Sequence, residues 1–336
     1  MITGADVLPA SRPCRLALMI LFGQSYTGGP RVVKNLVATL DRTRFEPFVI
    51  TNKESELTAD LRALDCRFTI LPVARGLEAS GGRSIRGLRN QLPNFVRSLN
   101  TNREVSRILN REKIELLWTR NIKAVLLAGF AARRAKLPLI WDIGMEKSSR
   151  GIVRHLHNLG FKLATRVVTE GRSVAGTIFT DQQLDKYSDK ISVIRSGIPQ
   201  DRLQEIEHQM NCRDNSKHNA VVRIINLASV CDRKNQHFIF TALAPLLTAN
   251  KELRLDFVGP IVESQYAAEL QQQIERAGLQ SQVQLRGWCA DAPQQLVSSD
   301  LFVLGSRIEG VPYSILEASM RACRWSALLA AACPMS

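Results

Sequence analysis

Residues 300–317 read DLFVLGSRIEGVPYSILE: an apolar run, a loop carrying Glu309 and Gly310, a proline, and a second carboxylate at Glu317. The run before Gly305 has the continuous apolar character of a strand buried on both faces. Pro312 is tolerated in the first turn of a helix but not in its interior, so a helix is expected to begin near it. Glu309 then lies in the loop at the carboxyl end of a strand, and Glu317 lies one to two turns into the helix. In open parallel sheets ligands bind at that edge, and the free N–H groups of a helix start favour phosphate. A carboxylate can accept two hydrogen bonds from neighbouring hydroxyls. Taken alone, the two acids read as a solvated loop charge and a helix-start acid suited to the macrodipole. Their surroundings shift that balance.

Upstream, apolar runs of strand length alternate with helical patterns. Strands are expected at 15–22, 45–51, 67–72, 114–119, 138–143, 166–170 and 192–194. Helices are expected where Val32, Val33, Leu36, Val37 and Leu40 share a face, around 55–64, and at 121–135 and 150–163. Residues 195–222 are polar and show no apolar periodicity, which marks a connection between domains. The alternation restarts with strands at 223–230, 253–259, 283–287 and 300–306 and helices at 236–249 and 264–277. Short apolar strands separated by helices imply right-handed crossovers and parallel sheets covered on both faces. The expected fold class is α/β, with two consecutive doubly wound, Rossmann-like domains at 1–194 and 223–322, the second incomplete, and an aberrant tail at 323–336.

The net charge of +14 favours an anionic partner: a nucleotide, a membrane surface or a nucleic acid. Seven cysteines, odd in number, widely spaced and without a CxxC pair, read as reduced thiols of a cytoplasmic protein with no metal site. His155 and His157, two apart, point to different sides of a helix, which argues against a shared metal. No apolar run is long enough to span a bilayer, and the first fifteen residues lack the apolar core of a secretory signal.

The segment EGVPYSILEA resembles the E-x7-E motif of retaining glycosyltransferases of family 4, which have the GT-B fold. Other stretches agree in order and spacing: TGGPRVVKNLVATL (27–40), RVVTEGRSVAGTI (166–178), ISVIRSGI (191–198), ASVCDRKNQ (228–236) and DAPQQLVSSDLFVLGS (291–306). The resemblance implies a nucleoside-diphosphate sugar as donor substrate, with no cofactor and with retention of anomeric configuration. Glu317 would hold the ribose hydroxyls, Glu309 would contact the transferred sugar, and Lys234 would neutralise the diphosphate. Gly310 and Val311 would offer backbone N–H groups to the sugar. Gly28 and Gly29 would let backbone approach the phosphates and the acceptor. The acceptor would be a saccharide or a lipid-linked saccharide, in cell-surface polysaccharide or glycolipid synthesis.

Three features depart from the family. Where it carries an arginine five residues before the loop lysine, this chain has Ser229; Arg233 is a neighbouring cation that reads as a substitute or as a solvated charge. Where many members carry a histidine on the acceptor side, this chain reads Trp141-Asp142-Ile143-Gly144, and Asp142 is either a polar contact or a strand-end cap. After Glu317 the chain continues ASMRACRWSALLAAACPMS instead of a buried strand and a glycine-rich turn. With one choice of synonymous codons, reading Ala322–Ser336 from the third base gives LPVVGIAGGGVPDV, so a single-nucleotide deletion is expected to account for the tail. A second domain without its last strands is expected to be weakly stable and weakly active.

Residues 83–113 hold Arg83, Arg86, Arg89, Arg97, Arg103, Arg107, Arg111 and Lys113, interleaved with Leu88, Leu92, Phe95 and Leu99. An amphipathic first-domain helix with a solvated face is favoured over attachment to the anionic inner face of a membrane. Phe95 is too lonely an aromatic for nucleic-acid stacking. The alternatives from other classes are a catalytically inactive remnant that binds nucleotide weakly, and a dinucleotide-dependent oxidoreductase. The oxidoreductase is disfavoured because no GxGxxG follows an expected strand.

Overall fold

The computed structural model describes residues 12–22, 28–73, 91–144, 151–195, 197–198, 200–211, 221–289, 291–307, 309 and 312–320, with side-chain detail from 100 onward in the helix that starts at 91. The chain divides into two compact units, Met1–Ile194 and Arg195–Ser336.

The first unit carries strands β1 (Cys14–Ile20), β2 (Phe45–Thr51), β3 (Arg67–Ile70), β4 (Leu116–Arg120), β5 (Leu139–Ile143), β6 (Arg166–Thr169) and β7 (Ile191–Val193). Its helices are α1 (Gly28–Thr39), α2 (Glu56–Ala63), α3 (Gln91–Arg111), α4 (Ile122–Arg134), α5 (Ile152–Leu163), α6 (Arg172–Ala175) and α7 (Asp181–Lys186). The sheet is parallel throughout, in the order β3-β2-β1-β4-β5-β6-β7. The period-two alternation of β1 sends Leu16, Leu18 and Ile20 into one core and Ala17 and Met19 into the other, so both faces are dry.

The second unit carries α8 (Gln200–Asn211), β8 (Val222–Leu227), a 3-10 turn (Asp232–Lys234), α9 (Gln236–Ala249), β9 (Leu253–Val258), α10 (Ser264–Arg276), β10 (Val283–Gly287), α11 (Ala292–Val297), β11 (Leu301–Phe302) and α12 (Tyr313–Ser319). Its parallel sheet runs β10-β9-β8-β11. Ile224, Leu255 and Phe257 pack on one face and Ile225, Val258 and Phe302 on the other.

Two expectations are corrected. The apolar run at 300–306 forms only a two-residue strand, because the Asn226 side-chain amide, rather than a backbone N–H, takes the Val303 carbonyl at 2.8 Å and ends the ladder. The polar stretch 195–222 contains α8, in which Ile206 is buried and Leu203 half-buried; apolar residues this sparse among polar ones give too weak a periodicity to read. In the basic stretch, α3 begins before Pro93, which falls in its first turn, and Val105, Ile108 and Leu109 face the core while Arg107 and Arg111 are exposed. That much agrees with an amphipathic first-unit helix. Arg83, Arg86, Leu88 and Arg89 lie outside the described residues, as do the side chains of Leu92, Phe95, Arg97 and Leu99. Among the described residues no helix is long and apolar enough to cross a membrane.

Candidate functional site

In the second sheet β8 is flanked by β9 on one side and β11 on the other, so the strand order reverses between β8 and β11. Loops leaving the carboxyl ends of two such neighbours diverge and open a crevice, the usual ligand position in a doubly wound sheet. The loop after β8 is residues 228–235, and the loop after β11 leads to Glu309.

Backbone pairing pins the first loop. Val230 N–H donates to the Pro260 carbonyl at 2.9 Å, and Ala228 N–H to Val258 at 2.9 Å. Gly259, at φ +149°, lies so close that a β-carbon there would stand 2.2 Å from the Ala228 carbonyl oxygen, so no side chain fits. Gln236 Nε2 donates to the Ser229 carbonyl at 3.0 Å, closing the loop from within. Asn235 takes a left-handed conformation at φ 58°, which turns the chain from the 3-10 turn into α9.

This frame sets Lys234 with its side chain largely buried and its ammonium on Glu309 Oε1. Arg233 Nη1 donates to the same oxygen at 3.1 Å, and Arg307 N–H donates to the Arg233 carbonyl at 2.9 Å, so the two loops are stitched by side chain and backbone. Burial alone would push the Glu309 carboxyl up; the Lys234 ammonium and Arg233 guanidinium outweigh it and hold the group below the usual carboxylate range. The result is a largely buried carboxylate held by two cations at the mouth of the switch point.

Glu317 takes a different partner. Pro312 is the N-cap of α12, as its place in the sequence implied, and Glu317 is buried in that helix. Arg202 Nε, from α8, donates to Glu317 Oε1 at 2.9 Å while its Nη1 reaches Glu205 at 2.8 Å. Arg202 was not legible in the sequence: it lies 115 residues away, in a stretch without pattern. Ser229 is half-buried and contributes its carbonyl, while Arg233 rather than Ser229 supplies a second cation beside Lys234. Gly310 and Val311 lie outside the described residues.

The first unit has its own switch point, between β1 and β4. Gly28 and Gly29 open α1 just beyond β1; neither has a positive φ, and a β-carbon at Gly28 would meet no described residue within 4 Å. Asp142 is no strand-end cap. It is buried in β5, paired in register with Arg120 of β4, whose Nη1 donates to Asp142 Oδ2 at 2.5 Å and whose Nη2 donates to Glu170 Oε1 at 3.0 Å. Burial pushes the Asp142 carboxyl up and the nearby Glu170 adds to this, against the pull of Arg120.

Two parallel Rossmann-like units, each with polar residues gathered at its switch point, define the GT-B class, and solved structures agree. Anabaena Alr3699/HepE in complex with UDP and glucose superposes with a TM-score of 0.66 at 17% identity, covering 94% of this chain and 80% of that one. A glycosyltransferase from Rickettsia africae gives 0.66 at 16% identity, covering 93% and 78%. Residues 27–197, just over half of the chain, match the glycosyl transferase 4-like domain, and residues 221–323 match glycosyl transferases group 1. The chain belongs to this glycosyltransferase family. Among curated proteins, the UDP-Gal:alpha-D-GlcNAc-diphosphoundecaprenol alpha-1,3-galactosyltransferase of Escherichia coli is 25% identical over 225 residues. That match takes in 63% of this chain, which spans 57% of the relative's length.

Proposed function

We propose that the chain carries the donor and acceptor machinery of a retaining glycosyltransferase that moves a sugar from a nucleoside-diphosphate sugar to a saccharide or lipid-linked saccharide acceptor. The reading rests most on the convergence of Lys234 and Arg233 upon Glu309 at the switch point of the second sheet. The leaving group of such a reaction is a nucleoside diphosphate, which develops negative charge as the glycosidic bond breaks. A buried ammonium positioned in advance stabilises that charge without reorganisation. With donor bound, Lys234 turns from Glu309 toward the diphosphate, Glu309 accepts from hydroxyls of the transferred sugar, and Gly310 and Val311 present backbone N–H groups to it. Glu317 shares its carboxylate between Arg202 and the ribose. Gly28 and Gly29 keep the opening turn of α1 free of side chains, and Asp142 faces the acceptor.

No cofactor or metal is required by these roles. The lipid-linked acceptor of the Escherichia coli relative supports a similar acceptor here, in cell-surface polysaccharide or glycolipid synthesis at the inner face of the membrane. The exposed Arg103, Arg107 and Arg111 of α3 suit peripheral contact with anionic lipid there. The test is turnover: a panel of UDP- and GDP-sugars is incubated with the chain and release of nucleoside diphosphate is measured. Release from one donor, lost in Lys234→Ala, is expected; no release from any donor contradicts the proposal.

A further inference from the structure

The Arg120–Asp142–Glu170 cluster belongs to no donor role, yet it begins beside the switch point of the first sheet with Arg120 and runs along the carboxyl ends of β5 and β6. Arg120 ends β4 opposite Ile20 of β1, Asp142 is its cross-strand neighbour in β5, and Glu170 follows β6. The Arg120 side chain is only 9% exposed, yet its Nε–H has no hydrogen-bond partner among the described residues. Asp142 Oδ1 and Glu170 Oε2 likewise make no hydrogen bond among them. Among the described residues, one donor and two acceptors of this group of side chains therefore have no hydrogen-bond partner.

Two glycines keep the donor edge open. A β-carbon at Gly144 would lie 3.5 Å from Arg120 Nε and 3.7 Å from Cζ, across the guanidinium, and one at Gly29 would lie 3.9 Å from Nε. These are ordinary contact distances at residues without a positive φ, so alanine fits both places without strain. A methyl group there would cover the edge without disturbing the fold. Charge decides what the edge reads. Among the described residues one guanidinium faces two carboxylates, an excess of negative charge that repels phosphate and suits neutral hydroxyls, each able to donate and accept.

We infer that Arg120, Asp142 and Glu170, framed by Gly29 and Gly144, form a hydroxyl-reading subsite for the uncharged saccharide portion of the acceptor, and that any acceptor phosphate binds elsewhere. This rests on the saccharide-transfer reading above. Asp142 and Glu170 accept from two hydroxyls of one sugar while Arg120 Nε donates to an oxygen of the same ring.

The test is ligand-observed NMR on the full chain with UDP present, using methyl glycosides of glucose, galactose, N-acetylglucosamine and N-acetylgalactosamine, with inorganic pyrophosphate as competitor. At least one glycoside is expected to bind the wild type, to bind at least about fivefold more weakly to Gly144→Ala, and to resist displacement by pyrophosphate. Thermal melting of Gly144→Ala matching the wild type confirms that the loss is local. Absence of glycoside binding to the wild type, equal binding to the variant, or displacement by pyrophosphate overturns the subsite. UDP resonances in the same samples report the donor site separately: UDP binding with no glycoside effect sinks this inference alone, and loss of UDP binding sinks the donor reading.

Discussion

Arg233 Nη1 donates to Glu309 Oε1 at 3.1 Å across 76 residues of sequence, and the neighbouring Lys234 ammonium reaches the same oxygen. One carboxylate thus holds together the loops that follow two adjacent strands. Lys234→Ala is expected to leave the fold in place, because Arg233 still pairs Glu309. It is expected to lower turnover by about 10²–10³-fold, the usual effect of removing one preorganised charge-stabilising donor. Steady-state release of nucleoside diphosphate checks this, and a loss under tenfold contradicts it.

The Glu317–Arg202 pair makes a prediction about stability. Arg202→Ala strands a carboxylate that is only 6% exposed, at an expected loss of about 1.5–3 kcal/mol. Adding Glu317→Gln removes the stranded charge and is expected to recover part of the loss. Urea denaturation of the two single variants and the double variant measures the coupling; strictly additive losses would show that the pair does not stabilise the unit.

Gly259 is the tightest backbone approach beside the candidate site. Alanine there must displace the Ala228 carbonyl or the loop itself, in addition to adopting φ +149°. Overpacking of this kind costs about 1–3 kcal/mol, and the backbone conformation adds to it. Gly259→Ala is therefore expected to melt earlier and to loosen the 228–235 loop, whereas Gly278→Ala, at a positive φ in open space, strains only its own backbone. Equal melting temperatures for the two variants would refute the close approach.

His157 is 1% exposed in α5, its ring lies 6.2 Å from that of Trp141, and neither ring nitrogen has a hydrogen-bond partner among the described residues. Burial therefore pushes its pKa below the ordinary 6.5. The unfolded chain takes up a proton that the folded chain refuses, so this contribution to stability is complete above that value and declines as pH falls below it. Urea midpoints between about pH 7.5 and about pH 5.5 should fall more steeply for the wild type than for His157→Phe. Parallel slopes would contradict the assignment.

Much of this was legible in the sequence because parallel strands are read from contiguous apolar runs. RLALMILF, FEPFVIT, PLIWDI and LRLDFVG each sit where their runs implied. Pro312 marked the start of α12, and the order of loops brought Lys234 and Glu309 to one edge. What was hidden depended on distance in sequence. Arg202 lies on a helix whose apolar residues are sparse, and Arg120 and Glu170 carried no signal of their own until the register set Arg120 against Asp142. Asn226, which cuts β11 short, carried no local signal because it acts through a carbonyl 77 residues away.

Calorimetric titration of UDP into the wild type and into Lys234→Ala and Glu317→Ala tests the central claim that the β8 and β11 loops form a nucleoside-diphosphate site. Measurable binding to the wild type, weakened at least about tenfold in each variant, is predicted. UDP binding of equal strength in all three proteins would place the nucleotide elsewhere and contradict the account.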